Sequence, residues 1–555
     1  MLNTADTTRL DRIPGERPEL RGTARSPVRQ TVFQSLGAAL VGVLTVALLP
    51  GTFAPTFFPN EDVYLSLLFQ HAGHSPLAAD WTLSHLPPDR RLFDVLFAPL
   101  AAWADPTLVA QIGRPLAWLT FLAAVLIFLR GLGLRNPLAA MTVVLLWLVP
   151  FPFSVSQEWI LGALEAKTFA WAALLAMLAA VGRNRVWLGA LLTIAAVSLH
   201  FSLGVWTCVF FGATVAVTSV SWRRKLGALG LGAVGALLAA VPMLRFVANN
   251  PAQSDADIRG WSRGLWSIHH DPFQFPPILM IGFAMVCFGS NLLHARTSRD
   301  RRTTPWRVLR RAELVGVALF ALGVLARAAD ADSVLISMPF RAGPPIIALG
   351  ALVRAVDCFG FIRASDPPAA PLLSVTGSVR QVGVVGLIGL LFVGAGHFGP
   401  AVKMWRYRTT IVKSSFRPAR TSEVLAAEWS SRNLPPEAVV AINPAQAYFG
   451  EVDRKLVASL RTARMDDLPG WNTRITALSG VDVTTLTGFV AVSDAVGLGY
   501  DTRPFSVVQG WPEQFGVTHI ISPADYPLPV LATFGDVKVY EIGATSKPPS
   551  VVTFD

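Results

Sequence analysis

Charge, cysteine and the signatures of soluble cofactor chemistry are all scarce in this 555-residue chain. Only 15% of its residues are Asp, Glu, Lys or Arg, while 52% are hydrophobic, and mean hydropathy is +0.48. That balance excludes an ordinary soluble globular protein. The three cysteines, Cys208, Cys287 and Cys358, lie in or beside apolar segments, so no disulfide framework supports the polar parts. There is no Gly-rich loop to cradle phosphates and no His-Glu-x-x-His pair, so neither a nucleotide, a redox cofactor nor a zincin-type metal centre is expected. The net charge of +11 is not gathered into a basic stripe with interleaved aromatics. Nucleic acid is therefore not an expected partner.

Long apolar runs are abundant. About eleven segments read 31–50, 110–129, 138–156, 162–181, 186–200, 204–221, 226–248, 276–293, 312–328, 334–353 and 381–400. Most approach the ~20 residues a helix needs to cross a ~30 Å hydrocarbon core, and in lipid only self-satisfied backbones such as helices survive. Arginines mark alternate connections: six at the amino terminus, then Arg130 and Arg135, Arg183 and Arg185, Arg223 and Arg224, seven within 294–311, and Arg354, Arg363 and Arg380. The positive-inside rule then places the amino terminus in the cytoplasm and, after an odd number of spans, the carboxy-terminal part outside. Membrane lipids are the expected partners of the basic loops.

Three parts follow. Residues 1–30 form a basic, polar cytoplasmic tail expected to be disordered, residues 31–402 a transmembrane domain, and residues 415–555 a small extracytoplasmic domain. In the last, Thr421 to Arg432 reads as a capped helix, and runs at 438–442, 518–522 and 537–542 read as strands. An α/β unit of roughly 130 residues is large enough for a core of its own. The fold expected is an α-helical polytopic membrane protein with a small C-terminal α/β domain.

Two outer loops are candidates for a site. The first, 51–109, opens with Asn60-Glu61-Asp62. Adjacent carboxylates beside a span suit a general base or a metal ligand; equally, Asn60 would cap a helix whose dipole favours the two acids. His71, His74 and Asp80 could gather a divalent cation or be ordinary loop residues. Asp80-Trp81 could hold and stack a sugar or anchor at the interface. The second loop, 249–275, carries Arg259 and Arg263 with Trp261 and Trp266 between and after them, followed by His269-His270-Asp271. Its arginines suit phosphate, or the loop is an interfacial amphipathic segment. Glu158, Glu165 and Lys167 lie at the outer end of the membrane segments, where ionisable groups face a cavity or a partner. His200 is either a substrate-orienting group or a hydrogen-bonded core residue. Arg327, Asp330, Asp332 and Arg341 read as a structural network.

The arrangement of a first span, a long outer loop opening on acids, many further spans and an external domain resembles the GT-C membrane glycosyltransferases. It is similar, more closely, to bacterial polytopic membrane proteins grouped with them, through Asp80-Trp81, Gly162-Ala163-Leu164-Glu165-Ala166-Lys167 and His200 to Trp206. Glu428-Trp429 and Arg461-Thr462-Ala463-Arg464 extend the match into the tail. The resemblance implies an inverting glycosyltransferase of the bacterial inner membrane. It would move a sugar from a polyprenyl-phosphate carrier to an envelope acceptor on the outer face. Asp62, with Glu61, would be catalytic; Asp80, Trp81, Glu165, Lys167, His200, Arg259 and Arg263 would bind substrate. A divalent cation stays open. The alternatives are a non-catalytic assembly protein working with other envelope-biogenesis proteins, and a lipid-carbohydrate transporter.

Overall fold

A computed structural model describes residues 59–73, 76–134, 140–141, 143–144, 147, 156, 163–250, 253–275, 277–296, 303–358, 421–445, 448–542 and 552–554. The basic tail 1–30, the segments 31–50 and 381–400, His74 and Glu158 lie outside the described residues.

Loop one contributes α1 (Pro59–His71) and α2 (Arg91–Ala101), and the described apolar runs form helices α3 (Pro106–Gly131), α4 (Ala166–Gly182), α5 (Val186–Leu199), α6 (Phe201–Ala216), α7 (Trp222–Asn249), α8 (Pro277–Arg296), α9 (Thr304–Ala328) and α10 (Gly343–Cys358). Alanine-rich α4 is the axis of the bundle, touching α3, α5, α6 and α9. All of its residues but Ala176 are buried. Small side chains permit this, because they let several backbones approach one helix at once. At the periphery, α7 buries only Ala228, Gly232, Ala236 and Ala240 and turns Val234, Leu237, Leu238 and Val247 outward, each at least 59% exposed. An outward row of large apolar side chains marks a surface that lipid or another protein covers.

Among the described residues two helices, α3 and α7, are long and apolar enough to cross a membrane by length and composition. The expected eleven spans are thus not established. α5, for example, has 14 residues and rises only about 21 Å. The expected continuous span 334–353 is interrupted. A short helix, Asp332–Ile336, ends before Met338, whose φ is +56°, and α10 begins only at Gly343. Pro339 disfavours a helical conformation at the residue before it, and this breaks the run. Where α9 crosses α10, a Cβ on Gly316 would sit 2.9 Å from the Gly343 carbonyl oxygen. Only glycine allows that crossing.

The carboxy-terminal part contains α11 (Ser422–Asn433), α12 (Leu468–Ser479) and α13 (Phe489–Asp501), with β1 (Val439–Ala441), β2 (Lys455–Leu456), β3 (His519–Ser522), β4 (Val530–Phe534), β5 (Val537–Glu541) and β6 (Val552–Phe554). The Thr421 hydroxyl accepts from the Val424 amide and caps α11. The strands form one mixed sheet in the order β2-β1-β3-β5-β4-β6. β1 runs parallel to β2 and β3, and β5 runs antiparallel to β3 and β4.

Alternation along the strands builds two cores. Val440, Ile521 and Val539 pack with Ala426 and Ala427 of α11. Ala441, Ile520 and Tyr540 pack with Trp471 of α12 and Val492 of α13. Neither core is closed by the carboxy-terminal part alone. Val63 of α1, with Leu77 and Leu83, completes the first, and Leu265, flanked by Trp81, Trp261 and Trp266, completes the second. Both polar loops are thus built into cores formed mainly by the carboxy-terminal part.

Candidate functional site

The acids that open the first loop reach away from their own helix. Glu61, fully buried, accepts from Arg114 Nε (2.9 Å) and Nη2 on α3, and its Oε1 accepts the Leu164 amide at 2.9 Å. Asp62, 1% exposed, accepts the amides of Phe449 (2.9 Å) and Gly450 with its two oxygens. The first acid therefore ties α1 to the bundle, and the second ties it to the carboxy-terminal domain.

Asp80 behaves similarly. One oxygen accepts the Thr82 and Leu83 amides, each at 2.8 Å, and the other accepts Leu456 of β2 at 2.8 Å. Trp81 lies between two guanidinium groups, Arg464 at 4.6 Å and Arg474 at 4.0 Å from its ring centre. Both residues named as sugar contacts thus engage the domain itself. The arginines of the second loop are held by acids some seventy residues away. Arg263 grips Asp332 with Nε and Nη2 and reaches Asp330 at 2.8 Å, while Arg259 lies 3.4 Å from Asp332. Asp330 and Asp332, read as part of a separate network, are therefore the partners of the expected phosphate ligands.

Burial, with the neighbouring charge of Glu61 adding to it, pushes the Asp62 carboxyl up to about 6 from an ordinary 3.8, against the two amide donors. Glu451 is also raised, by burial and then by Asp62. Glu423 and Glu428 of α11, Tyr448 and Asp501 of α13 crowd the same junction. A group whose docked pKa lies above its free value stabilises docking fully below the free value. That contribution is lost as pH rises through the docked value. Attachment of the domain to loop one is thus expected to weaken between about pH 4 and 6, by of order 1–3 kcal/mol. Thermal unfolding at pH 5 and 7.5 checks this; an equal slope with pH in Asp62→Asn would refute it.

A second constellation lies where α1, the end of loop one, α4 and α6 meet. Lys167 pairs with Glu165 at 2.9 Å, both buried. The Arg90 guanidinium lies 4.5 Å over the Tyr64 ring and pairs with Asp94 at 3.4 Å. His200 caps α6, its Nδ1 facing the Leu203 amide at 3.4 Å and its Nε2 facing Arg341 Nη1 at 3.4 Å. The Asp89 carbonyl accepts the Phe201 amide at 2.8 Å, which brings the Asp89 side chain to the same place. Burial raises the Asp89 carboxyl, opposed by the charges of Arg90 and Arg341. Burial and the charges of Glu165 and Asp89 push the Tyr64 phenol up to about 12. Glu165, Lys167 and His200, three of the nine expected site residues, meet here; Glu61, Asp62, Asp80, Trp81, Arg259 and Arg263 do not.

The side chains not singled out from sequence are Tyr64, Asp89 and Arg90. For Asp89 and Arg90 the signal is the run Pro87-Pro88-Asp89-Arg90-Arg91, a charged triplet after a rigid pair. Arg341 was expected among the outer acids and instead faces His200. A groove of about 320 Å³ includes Asp89 of this cluster in its lining, with Arg91, Leu92 and Val95 from the same stretch of chain and Val197, Phe201, Leu238 and Met243 from α5, α6 and α7. Among the described residues no group of three or more His, Cys, Asp or Glu side chains is placed to hold a metal ion.

No family profile and no curated protein matches the chain. Among solved structures it is similar to the Archaeoglobus fulgidus oligosaccharyltransferase tethered with an acceptor peptide, at 11% identity over 90% of this chain and 70% of that one, with a TM-score of 0.47. It is also similar to the archaeal oligosaccharyltransferase AglB from the same organism in complex with an inhibitory peptide and a dolichol-phosphate, at 10% identity over 89% and 69%, with a TM-score of 0.45. The form in complex with Zn and sulfate gives 12% identity over 88% and 67%, with a TM-score of 0.41. Likeness of this order assigns no activity and no family.

Proposed function

We propose that this protein is a membrane glycosyltransferase that takes a sugar from a polyprenyl-phosphate carrier and passes it to an envelope acceptor at the outer membrane face. The observation that carries the reading is the groove at Asp89. Its lining is mostly apolar, from α2, α5, α6 and α7, with the charged side chains Asp89 and Arg91 among it. An amphipathic donor has the same polarity: a hydrocarbon tail continuing into lipid and a charged, sugar-bearing head. The groove's volume suits the reacting end of such a molecule, with the remaining isoprene units in the bilayer.

In this mechanism Asp89, and not Asp62, is the general base. A raised carboxyl pKa brings it closer to the operating pH of a base. It takes the proton of an acceptor hydroxyl as that oxygen bonds to the anomeric carbon. The bond from that carbon to the phosphate oxygen breaks, and the lipid phosphate leaves with the electron pair. Arg91, which lines the groove, neutralises the departing charge, with Lys167 and Arg341 as further cations. Glu165 and His200 fix those cations in place. Asp62 keeps the carboxy-terminal domain seated.

Native mass spectrometry of the detergent-purified protein tests the reading. A polyprenyl-phosphate adduct is expected, with its sugar-bearing form accumulating in Asp89→Asn. Ordinary phospholipids alone, in wild type and variant alike, would sink it. The second reading, a non-catalytic assembly protein, is favoured by one observation: six of the nine expected site residues hold the molecule's own parts together. Unchanged function in Asp89→Asn, with loss on deleting residues 421–555, would favour that reading.

A further inference from the structure

We propose that the cleft between the end of loop one and the carboxy-terminal domain is a carbohydrate-binding site for a neutral glycan. On the reading above, that glycan is the acceptor. The cleft measures about 430 Å³ and shares no lining residue with the groove at Asp89. Three side chains give it its chemistry. Trp103, between α2 and α3, lines it while 70% exposed. An indole in that position offers a broad apolar face on which the C–H side of a pyranose can lie, with an N–H at its edge.

Asp453 also lines the cleft. Its backbone has a φ of +45°, and its side chain is 45% exposed, with Arg454 Nη1 at a loose 3.9 Å. A carboxylate so placed retains acceptor capacity for a pair of sugar hydroxyls. The third is Ser66 of α1. It is 4% exposed and lines the cleft, and its hydroxyl oxygen has no hydrogen-bond partner. A buried hydroxyl without a partner costs about 1–3 kcal/mol, so its presence in the wall points to a ligand that satisfies it. Stacking face, carboxylate and hydroxyl together match a polyhydroxylated ring. With a carboxylate and no cation among the described lining residues, they do not match a phosphate.

A plain membrane anchor would also expose Trp103, and the test separates the two. The full-length protein in lipid nanodiscs is presented with neutral glucose-, galactose-, mannose- and arabinose-based disaccharides, and saturation-transfer NMR reads which sugar protons contact protein. Transfer to at least one saccharide is expected, with affinity falling at least about fivefold in Trp103→Leu, which keeps the apolar bulk but not the stacking face. Asp453→Asn and Ser66→Ala are expected to weaken binding severalfold. Ser66→Ala should leave thermal stability equal or higher, since it removes an unsatisfied group. Absence of transfer to every saccharide, or transfer indifferent to Trp103→Leu in a folded variant, overturns the proposal. Saccharide binding that persists in Asp89→Asn, in a protein that carries no lipid-linked donor, would uphold this site while removing the transferase reading.

Discussion

Arg114→Ala is expected to destabilise the protein by about 3–5 kcal/mol, the cost of leaving a buried charge without its partner. Both members of the Arg114–Glu61 pair are at most 1% exposed, so water cannot replace the lost guanidinium. The carboxylate would have to protonate or drag α1 toward solvent. Because α1 also carries Asp62, the loss would propagate to the seat of the carboxy-terminal domain. Replacing both members by leucine should recover most of the stability, since two apolar side chains carry no desolvation penalty. It should not recover all of it: the Leu164 amide, which donates to Glu61, would be left unpaired at about 1–3 kcal/mol. Chemical or thermal unfolding in nanodiscs reads these values. A single variant within 1 kcal/mol of wild type would show that the pair is not the clamp described.

Sugar transfer from lipid phosphate, measured in proteoliposomes, is expected to fall about 10²–10⁴-fold in Asp89→Asn, the usual contribution of a positioned general base. Asparagine keeps the shape and loses only the proton acceptor, so donor binding should survive. The raised Asp89 carboxyl adds a sign: activity should decline as pH falls through a value above the ordinary carboxylate range, because the protonated acid cannot act as base. Asp62→Asn should cost less than about tenfold at neutral pH, through loosened docking alone. The reverse ranking, with Asp62→Asn inactive and Asp89→Asn active, would return the base to the opening acids of loop one.

Much of the bundle can be read from hydropathy because lipid-facing and buried helices are both apolar throughout. Segments 162–181, 186–200 and 226–248 correspond to α4, α5 and α7 within a few residues. Thr421 announces α11 through its cap. The break at Met338 is local chemistry too, a residue before proline, yet hydropathy averages over it. What periodicity cannot supply is pairing at a distance. Glu61 and Asp62 are adjacent carboxylates with opposite partners, one in the bundle and one 387 positions later in the chain. The same holds for Arg263 and Asp332, whose attraction explains why two cations that suit phosphate are already occupied. The surroundings of Asp89 are not legible in the sequence, because Phe201, Arg341 and the far wall of the groove are distant from it along the chain.

That both cores of the sheet are closed by Val63, Leu77, Leu83 and Leu265 has a consequence for how the molecule is made. These residues leave the ribosome long before the strands they pack against, so the first and second loops wait through synthesis of the intervening helices with apolar side chains unsheltered. Contacts of such sequence separation form late and slowly. Maturation therefore passes through an interval in which the helices are inserted and the loops are open to proteases or chaperones. It ends only after β5 has been made, since Val539 and Tyr540 belong to the two cores.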